Sequence, residues 1–137
     1  MSVLLAPVAH ADEANQPTVA PAPTVRVVSN QQVPNIPAKS LETLLVSFGP
    51  RAVSSAHRHA GSAFTTAYVQ AGAIRVEIEG EPSRVYHAGD TWYEQPGAHH
   101  LLSKNVSDTE PATLPAILLM DTRDEPLTVY DTNRTQG

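Results

Sequence analysis

From Lys39 onward, apolar residues come in short runs rich in Val, Ile, Leu, Tyr and Thr. Glycines at 49, 61, 72, 80, 89 and 97 separate these runs at intervals of 8 to 12 residues. Turn signals at that spacing around short runs predict an antiparallel sandwich or barrel. Ala73–Glu79 (AIRVEIE) shows the pattern most directly: Ile74, Val76 and Ile78 share one face, and Arg75, Glu77 and Glu79 share the other. Gly80-Glu81-Pro82 then turns the chain. The same reasoning predicts strands at Glu42–Phe48, Phe64–Ala71, Arg84–His87, Thr91–Glu94, His99–Ser103 and Thr113–Asp121. No part of this region holds a 3.6-residue period, and there is no internal repeat.

The N-terminal part has a different texture. Six of the twelve prolines fall in the first 37 residues. Asp12–Ala38 is a Pro/Ala/Thr/Asn/Gln-rich stretch without a sustained period, which predicts a flexible arm or linker. Within it, Thr24–Ser29 (TVRVVS) reads equally well as an edge strand, a swapped arm or disordered chain. Val3–Ala11 is apolar, and Ala9-His10-Ala11 has the small-x-small form of a secretory cleavage site, without a basic segment before it. It reads either as a chance match or as the tail of a signal peptide. The second points to export, with the protein periplasmic or secreted. The expected organisation is an arm at 1–38, a β-domain at 39–122 and a tail at 123–137.

Composition narrows the function. The 137 residues suit one domain, and 41% hydrophobic content supports a core. Nine basic against fourteen acidic residues give a formal charge of −5 without a Lys/Arg cluster, which argues against nucleic acid and anionic lipid as partners. The absence of cysteine excludes thiol catalysis, disulfides and Cys-based metal sites. No apolar run approaches the roughly 18 residues of a membrane-spanning helix.

The histidines carry the candidate chemistry. His57-Arg58-His59 places two imidazoles on one face of a strand, about 7 Å apart along it. Two neutral imidazoles aimed at one point chelate a divalent metal without burying charge. A third from a neighbouring strand completes the set and leaves coordination positions open.

Here the sequence resembles the cupin family. Gly49, His57-Arg58-His59 and Gly72 follow the first cupin motif. Gly89, Pro96-Gly97, His99-His100 and Asn105 follow the second, and counting from Gly89 puts His100 rather than His99 at the ligand position. The resemblance covers roughly Glu42–Asp121 and implies an all-β, cupin-type jelly-roll barrel behind a flexible N-terminal arm. Because small cupins pair through sheet edges, it also implies a homodimer, with the arm packed across the partner.

Three departures qualify the match. The glutamate of the first motif is missing: its place falls on Ala63, Phe64 or Thr65, depending on the counting direction. Gln95 stands where the second motif has its first proline, and Asn105 sits one place late. The expected site is therefore three histidines, His57, His59 and His100, holding Fe, Mn, Ni or Zn. Glu94, Gln70, Tyr68 and Tyr93 are candidates for a fourth ligand or a supporting base, and Glu94 or Tyr68 would act as proton acceptor. His99 and His87 are expected at the solvent or in structural roles, Arg58 as a solvated charge, and Trp92, Tyr68 and Tyr93 in the core or a dimer face.

By resemblance, the function is metal-dependent dioxygenation or a lyase or isomerase step on a small organic molecule. The alternative is a non-catalytic small-ligand-binding or sensory module, and a third is a barrel that has lost its metal. An enzyme requires the three imidazoles to converge on a solvent-reaching pocket with a further polar side chain. A binder tolerates a closed or wholly apolar pocket. In a barrel without metal, the imidazoles are splayed apart or bonded to protein groups.

Overall fold

The computed structural model of the protein describes residues 19–124 and 128–131. Its strands, in chain order, are β1 (Thr24–Gln32), β2 (Lys39–Phe48), β3 (Val53–Ser54), β4 (His57–His59), β5 (Phe64–Tyr68) and β6 (Ala73–Ile78). They continue with β7 (Arg84–His87), β8 (Thr91–Glu94), β9 (His99–Asn105), β10 (Ala112–Asp121) and β11 (Thr128–Tyr130). No helix long and apolar enough to cross a membrane occurs among the described residues.

Alternation decides which face of each strand is buried. In β6, Ile74, Val76 and Ile78 are buried while Arg75 is exposed. In β10, Ala112, Leu114, Ala116, Leu118 and Met120 point inward. The strands form two antiparallel sheets, one ordered β1-β2-β10-β5-β8 and the other β11-β4-β9-β6-β7, with β3 added beside β9. Their inner faces pack into two apolar clusters, one holding the fully buried Phe48, Ile74 and Val69 and the other Leu118. Burying each of these contributes about 1.5–3 kcal/mol. The result is a cupin-type jelly roll made of two facing sheets, not a single closed ring.

The predicted strands all form. Arg84–His87 and Thr91–Glu94 match residue for residue, and the others shift by up to three residues at an end. Two segments assigned outside the β-domain nevertheless enter it. Within the expected arm, β1 pairs antiparallel with β2 from Thr24↔Ser47 to Gln32↔Ser40. Within the expected tail, β11 pairs with β4, Thr128 opposite His59 and Tyr130 opposite His57. The signals were weak because both are edge strands: β1 is exposed along its whole length, so packing imposes no alternation on its sequence. The candidate cleavage site at 9–11 lies outside the described residues.

Asn105 closes the turn that follows β9. Its side chain is buried; Nδ2 donates to the carbonyls of Gly49 and Glu110, and Oδ1 accepts from the Ser107 amide. The late motif asparagine thus serves as a structural clamp.

Candidate metal centre

His57 and His59 stand on β4, which is central in its sheet, between β11 and β9. The i, i+2 spacing turns both inward and sends Arg58 out, where its guanidinium donates to the Gly97 carbonyl at 2.7 Å. His57 is directly paired with His100 of β9. A bulge against β6, between Glu77 and Ile78, shifts the β9 register. With it, His100 and Ser103 both face inward despite lying three residues apart.

The three imidazoles converge. One ligand atom from each lies within 4.8 Å of the others. Metal–nitrogen bonds of about 2.1 Å hold donors no more than about 4.2 Å apart, so the histidines need to close by about half an ångström around an ion. The ring centroids of His57 lie 5.0 Å from those of His59 and 4.8 Å from those of His100.

A backbone carbonyl sets the tautomer of His57. His57 Nδ1 lies 2.7 Å from the Ser55 carbonyl, and His100 Nε2 lies 3.0 Å from the Leu102 carbonyl. A carbonyl only accepts, so His57 Nδ1 carries the proton and donates it, whereas His100 Nε2 also lies 2.6 Å from the Ser103 hydroxyl, which either donates or accepts. The other ring nitrogen of His57, Nε2, is left with its lone pair. Such an outer bond orients a metal-binding histidine. His59 is less constrained: Thr128 Oγ1 lies 3.4 Å from its Nδ1. Burial of His57 lowers its pKa to about 4, with the neighbouring His100 and His59 adding to the effect against the Ser55 carbonyl bond. The ring is therefore neutral, as a ligand must be, at neutral pH.

Glu94 reaches the cluster from the opposite sheet. Its Oε1 lies 2.6 Å from His100 Nδ1 and its Oε2 lies 3.2 Å from His59 Nε2. Both contacts are close. Even so, Glu94 Oε2 and His100 Nδ1 have no partner in hydrogen-bond geometry among the described residues. Trp92 Nε1 donates to Glu94 Oε1 at 3.3 Å. Burial alone would raise the carboxyl pKa, but contact with His100 and His59 outweighs it and holds the group well below the usual carboxylate range.

The cluster lies in a cavity of about 70 Å³ between the two sheets. Leu44, Phe48, Trp92 and Leu114 form apolar wall, and Thr65, Ser103 and Tyr130 add polar groups. No described residue lining it is Lys or Arg.

The remaining candidates are placed elsewhere. Tyr68 does not reach the cluster: it follows inward-facing Ala67 on β5, so alternation puts it on the outer face, 45% exposed. Tyr93 is also outside, stacked on Phe64 with ring centroids 5.9 Å apart, and Gln70 is exposed. Trp92 is in the core, and His87 is exposed. His99 lies on the outer face, bonded to Glu79 and Asp131 at 3.0 and 2.8 Å. Thr128 and Tyr130 were not expected at the site. They arrive only because β11 pairs with β4, a long-range contact without a local signal.

Three converging imidazoles, one with its lone pair set by a backbone bond, and a buried carboxylate fit a divalent transition metal by donor chemistry. Comparisons with known proteins agree on the fold. The chain spans less than half the length of an oxalate oxidase, solved with the substrate analogue glycolate, that it resembles. Against that structure the TM-score is 0.56 and identity 26%, over 66% of this chain and 45% of the other. An uncharacterised Klebsiella pneumoniae protein with a double-stranded β-helix domain superposes with a TM-score of 0.62 at 15% identity, over 82% and 86% of the two chains. A Cupin 2 conserved barrel domain protein from Salinispora arenicola gives 0.54 at 21%, over 86% and 89%. No curated protein matches the chain. The profile of the Cupin domain family matches residues 44–120, more than half of the sequence, and with both histidine motifs in place on the two-sheet jelly roll, this chain belongs to that family.

Proposed function

We infer that this cupin binds one divalent transition metal (Fe, Mn, Ni or Zn) through His57, His59 and His100, and uses it to hold and transform a small organic molecule. The observation that carries this is the convergence of three imidazoles, with His57 Nδ1 tied to a carbonyl and its Nε2 lone pair left for an ion. A metal held there supplies Lewis acidity and, if it is iron, a place for O₂.

The chain's own residues limit the substrate. No Lys or Arg lines the cavity, so a dianion would meet no cation besides the metal. The walls of Leu44, Phe48, Trp92 and Leu114 suit a compact, weakly charged molecule with one oxygen donor. Oxalate oxidase is similar in fold, but its substrate class does not follow from that likeness. Among the lining groups, the Tyr130 hydroxyl is a suitable proton donor or acceptor, because Tyr130 packs on His57 with ring centroids 5.6 Å apart.

A second reading, a non-catalytic ligand-binding module, gains support from Glu94. Its carboxylate is engaged by two imidazoles and one indole, so it is not free to take a substrate proton.

Elemental analysis of untagged protein, purified without chelator, tests the metal site. Near-stoichiometric transition metal is expected, and it should be lost in His59→Ala. Protein that neither carries such a metal nor takes one up on titration would sink this reading.

A further inference from the structure

Within the three-histidine metal site, and resting on that reading, we propose that Glu94 is a fourth metal ligand, delivered from the opposite sheet.

The carboxylate is buried, with 3% of the residue exposed, and it faces the imidazoles at the two contacts given above. His100 Nε2 is turned away from the carboxylate, against the Leu102 carbonyl and the Ser103 hydroxyl. Its Nδ1 faces a carboxylate oxygen 2.6 Å away, yet has no partner in hydrogen-bond geometry among the described residues. A nitrogen and a carboxylate oxygen this close need a proton or a cation beside both. A proton or a metal ion meets that need, and only the metal also uses His57 and His59. Neighbouring ligands on one ion with bonds of about 2.1 Å stand about 3.0–3.4 Å apart. The 3.2 Å between Glu94 Oε2 and His59 Nε2 falls in that range, and the His100 contact is tighter by about 0.4 Å.

The strand register explains how a carboxylate comes to be here. Thr65, one of the positions where the first motif would hold its glutamate, is paired directly with Glu94 across β5 and β8. Both side chains are buried and face inward. The threonine hydroxyl is short, and its Oγ1 has no hydrogen-bond partner among the described residues. The longer glutamate one strand over reaches the imidazoles instead. Trp92, two residues earlier on the same face, donates to Oε1 and holds the carboxylate in place. Three neutral imidazoles leave a divalent ion its full charge, and the carboxylate reduces the net charge to +1. That favours ions which tolerate a mixed nitrogen and oxygen set.

Divalent cobalt is the probe, because its visible absorption reports coordination number and ligand type. Wild type, Glu94→Gln, His57→Ala and the swap Thr65→Glu/Glu94→Thr would be titrated with cobalt against a competing chelator. Glu94→Gln is expected to weaken cobalt binding at least about tenfold and to change the spectrum, since even an outer-sphere partner contributes tenfold or more. The swap is expected to recover both, and it remains decisive if Glu94→Gln does not fold. If Glu94→Gln keeps the wild-type affinity and spectrum while His57→Ala loses cobalt, the carboxylate is not a ligand, and the three-histidine reading survives. If wild type binds no cobalt at all, both fall together.

Discussion

His57 shows what one buried residue costs and contributes. Its pKa in the fold is about 4, against an ordinary value of 6.5, mainly through burial. The folded chain therefore holds it neutral while the unfolded chain protonates it. Below about pH 6.5 the unfolded state binds the extra proton, and stability falls as pH drops towards 4; above 6.5 this contribution is flat. In the metal-free protein, denaturant unfolding across pH 4–8 should show this loss, and His57→Gln, which has no proton to gain, should show a shallower slope over the same window. An unchanged slope would mean that the ring is not desolvated as its position implies. The H-x-H spacing that drew attention to His57 and His59 was legible because strand alternation is a local rule. Tyr68 failed by the same rule: its ring suited the chemistry, yet its neighbour Ala67 takes the inward position.

At the scale of elements, turns and edges behaved differently. Gly72, which joins the end of β5 to β6, has φ +77°. A Cβ there would lie 2.7 Å from the Ala112 Cβ and 2.8 Å from the Pro111 carbonyl oxygen. Gly72→Ala thus combines backbone strain with a collision against the chain entering β10, and should destabilise by about 2–4 kcal/mol in denaturant unfolding. A change under about 0.5 kcal/mol would show that the turn relaxes freely. Glycine spacing marked the turns at Gly72, Gly80, Gly89 and Gly97 because a positive φ is a local demand. The edge strands β1 and β11 carried no equivalent mark. β1 is held by backbone bonds to β2 and buries little, so its sequence was free to look like a linker. β11 is three residues long and is placed by its partner β4.

For the whole molecule, the candidate ligands tie the two sheets together. The histidines belong to one sheet, and Glu94 to the other. An ion bound there stabilises only the folded state, by about 2.7 kcal/mol when free metal is 100 times Kd. For a chain of this size, that should raise Tm by about 5–15 °C over chelator-treated protein in a thermal melt. Equal melting temperatures with and without metal would show that the ion does not depend on the folded site.

The amino-acid sequence by itself determined the all-β class, most strand positions, the glycine turns and the three histidines. Each follows from rules acting over a few residues: alternation, positive φ and motif spacing. Only the tertiary structure decided that Thr128 and Tyr130 border the site, that Tyr68 leaves it and that Glu94 faces two imidazoles. Those outcomes depend on which strands become neighbours and in what register, as with Thr65 beside Glu94 and His57 beside His100. Pairing between residues far apart in the chain is set by packing of the whole core, and no local pattern encodes it.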